Sequence, residues 1–282
     1  MIWVIANSRE EDGTFPTYKY YKNAYPKSAI DIFCATGNDD LSFIKKDDIV
    51  LARIRDKAIS ECVRKAQSRV GFISTLESCE TEFLTHDKEA LKDVLRKCGV
   101  AFPKSVSLKD IEDGTTYFVK PKFGENSIGI DNHSICDTRE KVLAKYHSLS
   151  QSGLEPIVEE YIAGRDLTAT VIHSEDGLKV YSIFTDADNS NSIQTDATKR
   201  NFTFNAVRCS DKALENTAKQ VFNAVGAKHH LRIDFRLSNG VFYVIDVNMI
   251  PGLAPNGYLS MCMKEYGIDY YDAIRMVVNS AD

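Results

Sequence analysis

The stretch "HLRIDFRLSNGVFYVIDVN" (230–248) constrains the fold more than any other part of the chain. Two runs of alternating apolar and polar residues flank Ser238-Asn239-Gly240, the pattern of two antiparallel strands joined by a tight turn. Side chains on a strand alternate between faces, so the pairing register decides which residues share a face. A three-residue loop with Gly240 in the left-handed conformation pairs Leu237 with Val241, Phe235 with Tyr243 and Ile233 with Ile245. One face is then wholly apolar. The other gathers Arg232, Asp234, Arg236, Asp246 and Asn248, with Arg232 opposite Asp246. A two-residue loop shifts the pairing by one and scatters the charges over both faces, which a core does not tolerate. Two carboxylates on one patch repel, so something cationic must hold them. A hard ion such as magnesium, bound by one or two carboxylates plus substrate phosphates, suits the patch, with Asn248 as a neutral oxygen ligand. Two such ions sharing a carboxylate would clamp a transferring phosphoryl group. The alternative is a solvated, salt-bridged face in which Arg232 pairs with Asp246.

With 282 residues the chain holds one large or two to three small domains. It is 43% hydrophobic and 27% charged, as an ordinary globular protein is, and its net charge of −5 argues against nucleic acid as a main partner. The seven cysteines form no CxxC pair and read as reduced thiols. "MIWVIANSREEDG" turns acidic too early for a signal peptide, and no apolar run approaches about 18 residues. The expectation is a soluble, cytoplasmic protein with no membrane partner.

Strand-like runs at 2–6, 29–35, 48–54 and 70–74 alternate with helix-like stretches near 17–25 and 56–68, a small βαβ layer. "THDKEALKDVLRKCGVAFP" (85–103) reads as one helix capped by Thr85 or Asp87 and stopped by Gly99. "TTYFVKP" (115–121) reads as a strand before the glycine-bearing loop 122–129, and a helix follows at 138–150. Strands at 156–162, 166–175 and 178–186 lead into a polar loop, 187–201, long enough to be a lid. A helix at 211–225, the hairpin, and helices at 258–266 and 270–279 close the chain.

"LRIDFRLSNGVFYVIDVNMIPGL" (231–253) resembles the metal-binding hairpin of the ATP-grasp superfamily. "THDKEALKDVLRKCGVAFPKS", "YFVKPKFGENSIGI" and "IVEEYIAGRDLTATVI" resemble, in order, parts of D-alanine–D-alanine ligases. "DIVLARI" followed by "STLESCETEFLTHDK" is similar to RimK-type glutamate ligases. The resemblance runs from about residue 80 to the end and is weak over the first 75 residues. It implies an α/β ATP-grasp fold in three parts: a small N-terminal domain (1–78), a central lid (79–158) and a C-terminal part with the hairpin (159–282). By the same resemblance, Asp234, Asp246 and Asn248 match magnesium ligands, with manganese as a substitute. Arg232 matches the arginine that steadies phosphate and tetrahedral intermediate, and Lys199 a lysine near the γ-phosphate. Lys88 and Lys120 match lysines on the ATP phosphates, and Gly124, Asn126 and Ser127 lie in the loop whose N–H groups cover them. Glu159, Glu160, Tyr161 and Ile162 match the hinge that holds adenine through backbone groups, and Asp166 the acid on the ribose. The chain departs from the family at Asp246, where the family carries Glu. It departs again at "LAPNGYLS" (253–260), where ligases for D-alanine carry a Ser-rich stretch holding the second substrate.

Each residue also has a plainer reading. Lys88 is an ordinary surface lysine on local sequence alone, although a cation is slightly unfavourable in a first helical turn. Lys120 ends an apolar strand, so its buried ammonium calls for an anion. Asp166 could cap a turn, Lys199 could be solvated, and His229 and His230 could pack or hydrogen-bond at the start of the strand. "TYKYYKNAYP" (17–26) reads as an aromatic helix face packed on the first sheet. The function implied is an ATP-dependent carboxylate–amine ligase working through an acylphosphate on an amino acid or peptide, as a homodimer like many similar ligases. The alternatives are an ATP-binding regulatory module without turnover and a RimK-like enzyme that modifies a peptide or protein terminus.

Overall fold

The computed structural model describes residues 1–7, 14–124, 127–185 and 206–281. Lys199 and Asn126, and the whole of the loop read at 187–201, lie outside the described residues.

The first sheet is parallel, in the order β2 (Ile30–Cys34), β1 (Ile2–Ala6), β3 (Ile49–Arg53), β4 (Ile73–Ser74). Parallel strands need crossovers, and α1 (Thr14–Ala24) and α2 (Lys57–Val70) supply two of them. Asp56 caps α2 by accepting from the Ile59 amide, and Gly71 at φ 84° ends it. Ile59, Val63 and Ala66, at helical spacing, bury themselves against Val50, Ala52 and Ile5. The opposite face of the sheet takes Tyr21 and Ala24 of α1, together with Ala273, Ile274 and Val277 of the final helix. The aromatic segment at 17–26 therefore packs as its sequence implies, with Tyr20 edge-to-face on Tyr270.

The helix read within 85–103 is α4 (Lys88–Lys97), capped by Asp87, one of the two caps read from sequence, and a separate helix, α3 (Cys79–His86), precedes it. Asp87 separates them in an extended conformation, φ −94° and ψ 105°. Its amide still donates to the Phe83 carbonyl, while its carboxylate caps α4 by accepting from Glu89 and Ala90. The Lys88 amide donates to the Lys122 carbonyl, which ties the start of α4 to the end of the next strand.

A three-stranded antiparallel sheet follows, in the order β6 (Ile135–Cys136), β5 (Tyr117–Pro121), β7 (Pro156–Glu160). Val142 and Leu149 of α5 (Arg139–Gln151) pack on Tyr117, Val119 and Val158. The third sheet is antiparallel throughout, in the order β10 (Val207–Arg208), β9 (Gly177–Phe184), β8 (Arg165–Ser174), β11 (His230–Ser238), β12 (Val241–Asn248). Leu167, Ala169, Leu231, Ile233 and Val247 on its apolar face meet Leu91 and Leu95 of α4 and Leu214, Ala218 and Val221 of α6 (Lys212–Ala224). Each such fully buried Leu, Val or Ile contributes roughly 1.5–3 kcal/mol, so this face fixes which way the polar face must point. Helices α7 (Tyr258–Lys264) and α8 (Tyr270–Asn279) complete the described chain. Among the described residues, no helix is long and apolar enough to cross a membrane.

The hairpin corrects the register expected from sequence. Ser238 pairs with Val241, so the loop is the two-residue Asn239-Gly240. Both residues have positive φ, 49° and 77°, as the tightest hairpin turns demand. The charges nevertheless share one face, because the register shifts between Asp234 and Phe235. Phe235 pairs with Val244 and Asp234 with Asp246, which leaves Ile245 as an extra residue in a β-bulge. The bulge moves the polar set back by one position. Arg232 consequently faces Asn248 instead of Asp246.

Candidate active site

A cleft with ≈ 1110 Å³ of empty volume, its open mouth included, lies between the three-stranded and five-stranded sheets. Lys88, Lys120, Gly124, Ser127, Glu159, Glu160, Tyr161, Ile162, Asp166, Arg232, Asp234 and Asp246 all line it. The topology thus brings together twelve of the fifteen residues singled out from sequence. Asn126 and Lys199 are not described, and Asn248 is set back from the surface of the cleft. The size suits a nucleotide, whose site is typically a concave pocket of several hundred Å³ with few converging polar groups.

At one wall, Lys120 stands at the end of β5, only 3% exposed. Its Nζ lies 2.9 Å from Glu159 Oε2 and donates to the Ile245 carbonyl at 3.4 Å. Ile245 is the bulge residue, so the irregularity in β12 also gives Lys120 an acceptor. Glu159 is 2% exposed, and its other oxygen lies 2.7 Å from Nζ of Lys92. Lys92 also bonds Glu89 at 2.8 Å and the Ser105 hydroxyl at 2.6 Å. Lys88, one helical turn before Lys92, donates to the Gly124 carbonyl at 2.9 Å. It is therefore a cleft residue, 9% exposed, rather than a surface lysine. Ser127, at φ 58°, holds the glycine-bearing loop in a conformation rare for a residue with a side chain.

The floor is the polar face of the hairpin. Arg232 grips Asp234 through two parallel bonds, Nε to Oδ1 and Nη2 to Oδ2, both 2.9 Å. The Thr168 hydroxyl donates to Asp234 Oδ1 at 2.7 Å. Asp246 sits directly across from Asp234, and the nearer lysine, Lys88, is 3.9 Å away. Burial pushes the Asp246 carboxyl above the usual carboxylate range; Lys88 draws it back and Asp234 adds to the rise. Asn248 accepts a bond from the Ile250 amide at 2.8 Å, which shapes the turn into Pro251-Gly252. Its amide oxygen retains a second lone pair.

At the far end, Arg236 reaches three groups. It bonds Asp166 at 2.8 Å and 2.6 Å, the Tyr161 hydroxyl at 3.1 Å and the Ile162 carbonyl at 3.2 Å. The Glu160 carboxylate accepts from the Lys104 amide, and the Glu160 main-chain amide donates to the Lys104 carbonyl. Tyr258, buried beside Arg232, has its hydroxyl pKa pushed up by burial and by the Asp234 charge, so it stays protonated.

Each cation on these walls faces its own carboxylate: Lys120 with Glu159, Lys88 with Asp246, Arg232 with Asp234, Arg236 with Asp166. A polyanionic ligand entering such a balanced cleft must bring cations of its own, because uncompensated charge in a buried site is costly. The cross-strand Asp234–Asp246 pair, with Lys88 3.9 Å from Asp246, fits a hard divalent ion held by carboxylate oxygens. Among the described residues, no group of three His, Cys, Asp or Glu side chains could hold a metal ion.

Sequence reasoning missed Lys92 and Tyr258, and it placed Arg236 on the polar face without giving it a role. The spacing of Lys88 and Lys92 by four residues, which puts both on one helix face, was a usable signal for the first. His229 and His230 pack and hydrogen-bond near the C-terminal helix: His229 Nδ1 lies 2.7 Å from the Ser280 carbonyl.

Two sheets closing on a cleft of paired lysines and carboxylates, over a hairpin floor, define the ATP-grasp class. The chain belongs to the D-ala D-ala ligase C-terminus family, whose model matches residues 99–279. It is 28% identical over 204 residues to the D-alanine–D-alanine ligase of Saccharophagus degradans, covering 68% of this chain and 63% of that enzyme. It is 26% identical over 201 residues to that of Fusobacterium nucleatum, covering 70% and 67%. Among solved structures, the Bacillus anthracis D-alanine–D-alanine ligase complexed with ATP superimposes with a TM-score of 0.72 at 18% identity over 99% of this chain and 96% of that one. The VanG D-Ala:D-Ser ligase of Enterococcus faecalis gives 0.75 at 16% identity over 100% and 99%. At these identities the structural likenesses establish the fold, and they extend over the first sheet, where the sequence is least telling.

Proposed function

We propose that the protein is a cytoplasmic ATP-dependent carboxylate–amine ligase that joins an amino acid or peptide carboxylate to an amine. The observation that carries this reading is the Asp234–Asp246 pair, set across two strands beneath a cleft with three cations, Lys88, Lys120 and Arg232. Three working parts serve it: 1–78, 79–158 and 159–282. The helices at 79–97 pack on the large sheet and present Lys88 to the glycine-bearing loop.

In this reading Lys120 and Lys88 bind the triphosphate, and the loop from Gly124 covers it. Asp166 takes the ribose, and the backbone at Tyr161 and Ile162 takes adenine. Asp234 and Asp246, with Asn248, would hold magnesium, which supplies charge neutralisation at the transferring phosphoryl group. The substrate carboxylate attacks the γ-phosphorus and ADP leaves. Arg232 stabilises the charge on the acylphosphate and on the tetrahedral species formed when the amine attacks. Collapse of that species forms the amide and releases phosphate. The chain works mainly by positioning and charge, and the closed cleft excludes water from the acylphosphate.

The amine end differs from that of the ligases named for D-alanine. Gly257 stands in the stretch after Pro251-Gly252, and a Cβ there would lie 2.6 Å from the Gly252 carbonyl oxygen. No hydroxyl-bearing side chain fits at that position, and Tyr258 lines the cleft beside it. We therefore read the acceptor as different from D-alanine, without a serine contact at residue 257. The test is ADP release from pooled acids and amines, with product masses read afterwards. ADP that appears only with both an acid and an amine, together with a product of their summed mass less water, supports the ligase. Nucleotide binding without turnover across the panel contradicts it.

A further inference from the structure

Arg236 stands on the same face of β11 as Arg232 and Asp234, two positions beyond the carboxylate on the floor. Its cross-strand neighbour on β8 is Asp166. Nothing in the phosphate chemistry requires a cation at that end of the cleft. A surface arginine opposite an aspartate would be an ordinary strand pair. This one does more. Its side chain is 11% exposed, and it bonds at once to a carboxylate, a phenol and a main-chain carbonyl.

These partners lie on three segments with different tasks. Asp166 opens β8, Ile162 and Tyr161 form the connection after β7, and Arg236 itself comes from the floor hairpin. The guanidinium also lies 5.5 Å from the centre of the Tyr161 ring. A planar guanidinium with its five N–H groups can serve all of these partners together, which an ammonium cannot. The bond to the Ile162 carbonyl fixes the plane of the peptide that follows it. The two features on which a nucleoside would rest, an oriented carboxylate for a diol and a fixed strip of main chain for a base, therefore share one anchor.

We propose that Arg236 is the positioning residue of the nucleoside end of the cleft, and that through Asp166 it sets the preference for ribose over deoxyribose nucleotides. The inference rests on the nucleotide reading of the cleft given above. It requires no contact between Arg236 and the phosphates. Without Arg236 the Asp166 carboxylate loses two of the contacts that orient it, and a less oriented carboxylate discriminates less for a hydroxyl pair.

The test measures binding of ATP and 2′-deoxy-ATP with magnesium to the full chain, in the parent protein and in Arg236→Met, Asp166→Asn and the double variant. The expected result is a parent preference for ATP that falls to about one in each single variant, with ATP affinity down about tenfold, as loss of charge-assisted bonds gives. The double variant should be no worse than either single one, because both changes disable the same unit. A folded Arg236→Met protein that keeps the parent preference overturns the inference, as do effects that add in the double variant. Should Arg236→Met fail to fold, Arg236→Lys carries the test. It keeps a cation for Asp166 but cannot span Tyr161 and Ile162, so the preference should fall partway; an unchanged preference overturns the inference. Failure of the parent protein to bind either nucleotide overturns the nucleotide reading, and this inference with it. Parent binding with a preference that survives Arg236→Met overturns the inference alone.

Discussion

Glu159 and Lys120 form a buried ion pair, 2.9 Å apart, and the same carboxylate lies 2.7 Å from Lys92. Substituting Glu159 with Gln removes a negative charge shared by two ammonium groups that are each about 5% exposed or less. Breaking a buried pair from one side costs about 3–5 kcal/mol, so the free protein should lose that order of stability in denaturant melts. Magnesium–ATP should restore more of it than it adds to the parent, since the triphosphate returns the missing charge. Equal nucleotide-induced shifts in the two proteins would place Lys120 away from the phosphates.

Asp246→Asn should behave in the opposite way. Asp246 faces Asp234 across the strands and its carboxyl is raised by burial. A neutral amide removes that repulsion, so the melting temperature of the free protein should hold or rise. Turnover should fall at least tenfold, the scale set by one lost transition-state contact, and magnesium should cease to strengthen nucleotide binding. A variant that keeps the parent's magnesium dependence would remove Asp246 from the metal site.

His230 makes the fold sensitive to acid. Its side chain is 2% exposed, Nε2 has no hydrogen-bond partner among the described residues, and burial, with the charges of Arg53 and His229, lowers its pKa to about 3. The unfolded chain takes up this proton near pH 6.5 and the folded chain does not, so stability is complete above about 6.5 and declines as pH falls towards about 3. The loss from this group amounts to as much as about 1.4 kcal/mol per pH unit within that window. His230→Gln should flatten the dependence, measured as unfolding free energy between pH 7 and 4.5 or about that range. Parallel curves for parent and variant would show that His230 is protonated in the fold.

Deleting Ile245 tests the bulge. Without the extra residue, Phe235 still pairs with Val244 and Asp234 with Asp246, so the polar face is kept, but the Ile245 carbonyl that accepts from Lys120 is lost. The deletion variant should fold with its nucleotide affinity lowered about tenfold, whereas Ile245→Ala, which keeps that carbonyl, should bind as the parent does. A deletion variant that binds nucleotide as tightly as the parent would mean that the bulge does not serve Lys120.

The hairpin also shows what a sequence reveals and where it falls silent. Alternation in 230–248 placed Arg232, Asp234, Arg236, Asp246 and Asn248 on one face, and the structure does the same. The route differs, because Asn239-Gly240 makes a shorter turn and Ile245 repairs the register. A bulge between Val244 and Asp246, built from apolar residues without glycine, leaves no local mark. The helix before Asp87 was hidden for a related reason: a residue that ends one helix and caps the next looks, in one dimension, like a single cap. The roles of Glu159 and Arg236 depend on partners about 40 to 75 residues away in the chain, which only the sheet pairings bring near.

The claim at the centre of this account is that paired carboxylates on the hairpin floor seat a divalent ion beneath a nucleotide. Calorimetric titration of ATP into the full chain, with and without magnesium, tests it most directly. One ATP per chain, bound at least tenfold more tightly with magnesium than with a chelator, is the predicted result. ATP that binds equally well under both conditions, or not at all with magnesium, would contradict it.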